Sequence, residues 1–301
     1  MRLFYGMMVL VALATFISAP QSNAEAGMIP MDSPVGEIGG RGHWYSLRTM
    51  KGADYWKDPA VSTDIKEHDD GTYSIAGEAP ISIAIVLHPQ WYPNEEPWRQ
   101  AIDWVRQAEQ MYRNSGVPVR FVIESIQVWD DMPDTKQAAY NAMPSDFHGA
   151  DMVVGLMPHF SFDPYCGIAR LGKSGWYTPG IRSVSGCSPK TLAHELGHNL
   201  GLRHDFDGVD YGQRGHCMTG SPGDHNSCKK GTIMAYAAKR VPLFSNAEYS
   251  YDGLPLGDSE SDGVPWLRRE VAGRALAWEL AQRNDPAPLS VFPEELAMCP
   301  E

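Results

Sequence analysis

Three of the ten histidines of the chain lie in one short stretch, His194-Glu-Leu-Gly-His198-Asn-Leu-Gly-Leu-Arg-His204. On an α-helix, residues four apart share a face, so His194 and His198 can bind one metal ion. Glu195 lies one position further round the helix, beside that ion. A carboxylate at this place serves as general base to a metal-bound water. The spacing therefore predicts a catalytic metal site.

The third histidine can reach the same ion only if the helix ends before it. In a continuous helix, His204 would lie about 9 Å along the axis from His198, at a rise of about 1.5 Å per residue. Gly201 permits the chain to turn back, because glycine adopts positive φ at little cost and commonly follows a helix end. Three neutral imidazoles and a water make the open tetrahedral site that is typical of catalytic zinc.

The pattern HExxHxxGxxH, with an aspartate directly after it, resembles the long zinc signature of the metzincin metallopeptidases. Asn199 and Asp205 make it most similar to the reprolysin (adamalysin)-like branch and its bacterial secreted relatives. The Met-turn of that family, a tight turn with a methionine beneath the metal, is matched by Gly231-Thr-Ile-Met234-Ala-Tyr236. The resemblance covers about residues 80–283.

This resemblance implies a role for each matching residue. It implies that zinc is bound by His194, His198 and His204. Glu195 would activate the water and then carry its proton to the leaving amine. Met234 would support the site without touching substrate.

The same resemblance implies roles for two further residues. Tyr236 matches a tyrosine that in some metzincin branches reaches the metal or the oxyanion, and a buried aromatic side chain is the alternative. Asp205 would orient the site through a hydrogen bond to nearby backbone, as residues around metal ligands commonly do.

A calcium ion is a second cofactor to consider. The stretch Asp205-Phe-Asp207-Gly-Val-Asp210 is acidic, but its spacing differs from that of an EF-hand and no terminal glutamate follows at the required step. A solvated turn is the favoured interpretation of this stretch.

The elements around the motif predict an α/β fold with a mostly parallel twisted sheet. Strands are expected over 81–87, 119–129 and 150–157, and helices over about 97–115 and 133–142. Strand, helix, strand, helix, strand is the order of an α/β layer. The resemblance adds a zinc helix below the sheet and a smaller C-terminal subdomain, which holds the Met-turn and a final amphipathic helix over 266–283. Residues 166–187 and 205–231 are expected to be loops.

The ends of the chain lead to expectations about processing. Residues 1–24 have a basic start, an apolar run and small residues for cleavage, which is typical of a secretory signal peptide. Residues 25–79 are interpreted as a propeptide or N-terminal extension, with a hairpin turn at 69–71. The catalytic domain is expected over 80–283 and a tail over 284–301. No later segment reaches membrane-spanning length.

Five cysteines are compatible with disulfides in an exported chain, and the pairs Cys166–Cys187 and Cys217–Cys228 close short loops beside the histidine motif. Other pairings remain open from the sequence alone. Cys299 is left over. The expected location is extracellular or periplasmic.

The formal net charge of −12 argues against nucleic acid as a partner, because phosphate binding needs clustered Lys and Arg. The sequence predicts a secreted zinc-dependent endopeptidase acting on an extended protein or peptide substrate. Two alternatives remain: a catalytically silent binding module of the same fold, and a zinc amidase acting on a cell-wall peptide.

Overall fold

The computed structural model describes ten stretches of the chain. They are residues 42–45, 64–67, 73–76, 79–91, 97–143, 150–172, 181–206, 213–223, 226–271 and 296–300. Backbone contacts divide the chain into residues 1–37 and residues 38–301, and all of the described residues belong to the second unit. The expected signal peptide lies outside the described residues.

The described elements are three bounded helices, one further helical segment and thirteen strands. The helices are α1 (Pro97–Asn114), α2 (Lys136–Ala142) and α3 (Pro189–Asn199), and residues 263–271 are also helical. The strands are β1 (Gly42–Tyr45), β2 (Asp64–Glu67), β3 (Tyr73–Ala76), β4 (Ala79–Leu87), β5 (Val119–Trp129), β6 (Met152–Leu156), β7 (Tyr165–Arg170), β8 (Ile181–Ser185), β9 (Cys217–Gly220), β10 (Cys228–Gly231), β11 (Ser250–Tyr251), β12 (Leu254–Pro255) and β13 (Leu296–Pro300).

Seven of these strands form one sheet in the order β1-β5-β4-β6-β8-β7-β13. The pairs β5–β4, β4–β6 and β6–β8 are parallel, whereas β1, β7 and β13 each pair antiparallel with their neighbours. Five of the seven strands therefore run in one direction. The predicted α/β class with a mostly parallel sheet is confirmed.

Strand β4 shows how the sequence builds a core on both faces of the sheet. Ile81, Ile83, Ile85 and Leu87 pack into the cluster that includes α1 and α3, while the alternate residues Ala84 and Val86 pack into the cluster with α2. Side chains alternate between the faces of a strand, so a strand covered on both sides is apolar throughout.

Helix α1 buries the face that its three- and four-residue spacing predicts. Ile102, Val105, Ala108 and Tyr112 are fully buried. The helix is followed by Gly116 with φ of +79°, as expected of a glycine just past a helix end. The Tyr112 hydroxyl donates to the Ala193 carbonyl at 3.1 Å, which ties α1 to the helix that carries the histidines.

Two regions expected to be loops contain strands. Residues 166–187 include most of β7 and all of β8, and residues 205–231 include β9 and β10, which pair antiparallel. All four strands have six residues or fewer and three of them contain glycine, so they lack the long apolar runs that predict strands from sequence. Both expected disulfides, Cys166–Cys187 and Cys217–Cys228, are present.

The flanking stretches also contribute to the sheets. The hairpin expected around residues 69–71 exists as β2 and β3, although the turn itself lies outside the described residues. Strand β1 pairs with β5 at one edge of the large sheet and β13 pairs with β7 at the other. The final helix begins at residue 263, earlier than expected, and is described as far as residue 271. Within the described part of the chain, no helix has the length and hydropathy needed to cross a membrane.

Candidate active site

Helix α3 carries the motif and starts with a capped first turn. The Ser188 side chain accepts a hydrogen bond from the Thr191 backbone N–H at 3.2 Å, and Pro189 occupies the first position of the helix. A serine at this position satisfies one of the N–H groups that have no partner within the helix, and proline has no N–H to satisfy. All residues from Thr191 to Asn199 are buried.

The helix ends at Gly201, where the chain reverses. Gly201 has φ of +91°. Its N–H donates to the His198 carbonyl at 2.8 Å, and the Leu202 N–H donates to the Gly197 carbonyl at 2.9 Å. These two hydrogen bonds form a Schellman motif, which satisfies carbonyls at the helix end and needs a left-handed residue. The Trp266 indole N–H caps the Leu200 carbonyl at 2.9 Å.

This reversal brings the three histidines together. The Nε2 atoms of His194, His198 and His204 lie 3.0 to 3.3 Å from one another. His194 and His198 are fully buried and His204 is 4% exposed. Ligand nitrogens about 2.0–2.1 Å from one tetrahedral zinc ion lie at nearly this separation from each other.

The opposite ring nitrogens fix the tautomers of the two helical histidines. His194 Nδ1 lies 2.7 Å from the Ile233 carbonyl, and His198 Nδ1 lies 2.7 Å from the Leu202 carbonyl. A carbonyl only accepts hydrogen bonds, so each Nδ1 carries the proton and each Nε2 presents a lone pair to the centre of the cluster. Lone pairs converging in a buried space fit a cation, and the three histidines fit a zinc ion.

The electrostatic surroundings keep His194 neutral, as a metal ligand must be. Burial lowers the pKa of His194 well below its ordinary value, and electrostatic repulsion of a second proton by His198, Arg240 and His204 lowers it further. The Arg240 guanidinium lies 3.2 Å from His194 Nδ1. The hydrogen bond to Ile233 opposes these effects and does not outweigh them.

Met234 lies directly under the helix. It is fully buried, and a Cβ added to Gly197 would approach its Sδ atom to 2.6 Å. Gly197 stands between the two helical ligands, so the absence of a side chain there lets the methionine pack against the helix backbone. The preceding residue, Ile233, supplies the carbonyl that holds His194. The turn thus supports the helix and orients one ring.

Glu195 is fully buried beneath the sheet strand β7. A Cβ added to Gly167 would lie 2.2 Å from Glu195 Oε1 and 2.5 Å from Cδ, so only glycine leaves room for the carboxylate at that position. The Asn199 amide donates to the carbonyls of Arg170 and Arg182, which fastens the end of α3 to β7 and β8. Gly167 was not predicted from the sequence, because a single glycine does not show which side chain will lie against it.

An aromatic stack covers the outer side of the cluster. The Tyr236 ring lies 4.2 Å from the His204 ring, and the Phe206 ring stacks on His204 at 5.6 Å and lies tilted against Tyr236 at 4.9 Å. Tyr236 is half-buried, so it is not the fully buried core residue considered as its alternative. The Tyr236 N–H donates to Asp205 Oδ1 at 3.0 Å. Phe206 is 44% exposed and was not singled out from the sequence, since it is an ordinary apolar residue outside the motif.

Other groups of possible metal ligands are less suited to an ion. Among the described residues, two further groups of three exist, and each includes sulfurs of the Cys166–Cys187 or Cys217–Cys228 disulfide. Zinc binds thiolates, which a disulfide does not provide. Asp207 and Asp210 of the acidic stretch lie outside the described residues. Within the described part of the chain, no group of three carboxylates supports a calcium site.

Comparison with known families gives this geometry its context. A family model described as metallo-peptidase family M12 matches residues 92–249, which is just over half of the chain. The chain belongs to this metallopeptidase family. The matched range includes the three histidines, Glu195 and the turn around Met234. A metallopeptidase uses a bound metal to hydrolyse peptide bonds, and the buried histidine cluster is the part of this family member that fits the metal.

Solved structures add a similarity of fold. A structure described as a chaperone–substrate complex matches with a TM-score of 0.54 at 20% identity, over 71% of this chain and 37% of that chain. Metalloproteinase-II from Bacteroides fragilis matches at 15% identity with a TM-score of 0.34, over 55% of this chain and 49% of that chain. Archaemetzincin from Methanopyrus kandleri matches at 14% identity with a TM-score of 0.35, over 64% of this chain and 97% of that chain.

The chaperone–substrate complex, with 20% identity and a TM-score of 0.54, shares the fold of this chain. This family member spans 37% and 49% of the lengths of the first two matching chains. None of the curated proteins compared with it matches.

Proposed function

We propose that the chain is a secreted zinc-dependent endopeptidase of the metzincin group, from the reprolysin-like branch and similar to its bacterial members. The observation that carries this proposal is the convergence of three buried Nε2 atoms beside a buried glutamate. The match to the M12 family supports it. His194, His198 and His204 would hold the zinc ion, and the donor set of three imidazoles suits a catalytic zinc with one open position.

When bound, zinc would acidify a water molecule and polarise the scissile carbonyl of the substrate. Glu195 would accept the proton of that water and deliver it to the leaving amine, because it is the carboxylate next to the ligands on α3. Because Glu195 is fully buried, bulk water would be kept from its carboxylate, and the glutamate would exchange its proton with the reacting groups.

Tyr236 would donate a hydrogen bond to the substrate oxygen on which negative charge develops. Its ring stacks on His204 at 4.2 Å, and its backbone is held by Asp205. Met234 would keep the floor of the site in place through its contact with Gly197.

Substrate would bind in an extended conformation along β7. This strand crosses Glu195 at Gly167, so a peptide paired with β7 along the edge where β13 lies would pass beside the catalytic glutamate. Backbone hydrogen bonds along a strand edge bind peptides of many sequences, and side-chain pockets then select among them. Phe206, exposed beside His204, would offer an apolar surface to one substrate side chain.

The proposed location is extracellular or periplasmic. Two disulfides fit an oxidising compartment. The leader-like composition of residues 1–24 supports the same location.

The test is peptide hydrolysis by the purified chain, on casein and on purified cell wall, with and without a chelator. Glu195→Gln should retain zinc and lower kcat by about 10²–10⁴-fold, the usual contribution of a general base. The exposed Glu248→Gln serves as the matched control and should be as active as the native chain.

Tyr236→Phe should lower kcat with little change in KM, since it would remove a hydrogen bond made in the transition state. Near-native hydrolysis by Glu195→Gln would refute the assigned role. If neither substrate is hydrolysed, with or without the chelator, the silent binding module is favoured. Hydrolysis of cell wall alone would favour the amidase.

A further inference from the structure

The outer edge of β7, where a substrate peptide would add, is already paired with a strand of the same chain. Strand β13 runs antiparallel along β7, with Leu296, Ala297, Met298 and Cys299 opposite Arg170, Ala169, Ile168 and Gly167. The opposite edge of β7 pairs with β8. Both edges of β7 are thus occupied by strands of this chain.

The register places β13 beside the catalytic position. Cys299 is the Cα partner of Gly167, and Gly167 is the residue whose missing side chain leaves room for the Glu195 carboxylate. The backbone of β13 therefore passes the part of β7 that lies over Glu195. A peptide substrate would have to follow the same path to present a bond to that carboxylate.

Occupation of this edge by β13 and by substrate is mutually exclusive. Each outward N–H and C=O of an edge strand makes its ladder hydrogen bond with one partner strand at a time. The two strands would also fill the same space about 4.8 Å from β7.

We propose that β13 is a built-in competitor for the peptide-binding edge, so that substrate binds only when residues 296–300 detach from β7. This inference rests on the proposed function, because it assigns the regulation of the same site. The occupant is an extended backbone strand, and its hold on β7 comes from the ladder of hydrogen bonds.

A tethered strand competes at an effective concentration on the order of 1 mM. If the strand binds its edge with a dissociation constant about tenfold below that concentration, the site is free about one-tenth of the time. The apparent KM for peptides is then about tenfold above the value for the free edge, while kcat is unchanged.

The test variant is the double substitution Ala297→Pro with Met298→Pro. Neighbouring residues of an antiparallel strand alternate between facing the partner's hydrogen-bonding groups and facing away, so one of the two prolines removes a ladder N–H. The matched control, Ala297→Val with Met298→Leu, retains both N–H groups. Cys299→Ser is a second control, since the two disulfides use the other four cysteines.

Two measurements decide the proposal. Amide hydrogen exchange of residues 165–170 reports whether the edge is covered, and kinetics on one casein-derived decapeptide report whether it is available to substrate. The proline variant should exchange faster in β7 and show a KM about tenfold lower at unchanged kcat, whereas both controls should behave as the native chain.

Unchanged exchange in the proline variant would overturn the proposal, and so would faster exchange without a fall in KM. A fall in KM for Cys299→Ser equal to that of the proline variant would also overturn it, because the side chain and not the strand would then hold the segment.

A third arm separates this proposal from the proposed function. The synthetic peptide acetyl-Leu-Ala-Met-Ser-Pro-amide, with serine in place of cysteine so that no thiol binds metal, is added to the proline variant. If no variant cleaves any peptide, the proposed function is refuted. Even then, protection of the amides of residues 165–170 by the added peptide would support the peptide-binding edge. Absence of that protection would overturn the proposal of a peptide-binding edge.

Discussion

Substituting Gly167 by alanine tests whether the position of the Glu195 carboxylate matters for catalysis. The added Cβ would lie 2.2 Å from Oε1, 2.5 Å from Cδ and 2.7 Å from Cγ of Glu195. Ordinary contacts between such atoms are about 3.4 Å or longer, so the carboxylate or the strand must move by about 1 Å. Three atoms of the glutamate are affected, and a rotation of the carboxylate alone does not relieve all of the contacts.

The expected effect on rate follows from the size of this displacement. A misplacement of a catalytic group by about 1 Å can lower a rate about 10²-fold. The three atoms nearest to the added Cβ all belong to Glu195 and none to a metal ligand, so zinc binding should change little. Gly167→Ala should therefore lower kcat by about 10²-fold with one zinc ion retained.

The assay compares kcat and metal content with those of Ile168→Val. Ile168 is the next residue of β7 and packs on the opposite face of the sheet, so this control perturbs the same strand without touching Glu195. It should lose about 0.5–1.5 kcal/mol of stability and retain kcat. A Gly167→Ala enzyme with native kcat, or one that loses its zinc, would refute the reasoning.

Two further predictions concern the stability of the site. Gly201→Ala places a side chain at φ of +91° and 2.9 Å from the Trp266 indole nitrogen. This substitution should lower the free energy of unfolding by more than about 1–2 kcal/mol, which is the cost of a left-handed alanine alone, and it should weaken zinc binding. Gly253→Ala is the control, because Gly253 has φ of +75° but a Cβ added there has no atom within 4 Å. Urea unfolding should show a smaller loss of stability for Gly253→Ala than for Gly201→Ala, and equal losses would contradict the prediction. The metal-free protein should lose stability in mild acid, because burial lowers the folded-state pKa of His194 and His88. Below about pH 6.5 the unfolded chain binds protons that the folded chain does not. The urea concentration at the midpoint of unfolding should therefore be lower at pH 5.5 than at pH 7.5. A flat or rising midpoint would contradict this.

The sequence predicted those parts of the fold that are determined by residues close together in the chain. Periodicity found α1 and the buried strand β4, and glycine at position 201 predicted the end of α3 and the approach of His204. Each of these features is decided by a residue and its near neighbours in the chain. The parallel order of the central strands followed because strand–helix–strand connections leave few alternatives.

The features that the sequence did not reveal depend on contacts between distant residues. The pairing of β13 with β7 joins residues about 130 positions apart, and no local pattern of Leu296–Pro300 specifies its partner. The requirement for glycine at position 167 exists only because α3 places Glu195 beneath it. The contact between the Phe206 and Tyr236 rings likewise depends on a loop meeting the turn after β10.

The most direct test of the central claim is the zinc content of the purified chain. It is measured by inductively coupled plasma mass spectrometry after dialysis against metal-free buffer. The three converging imidazoles predict one zinc ion per chain, and His204→Ala should lose it while the control His216→Ala keeps it. A native chain without zinc, or a His204→Ala chain that still holds one ion as tightly, would contradict the account.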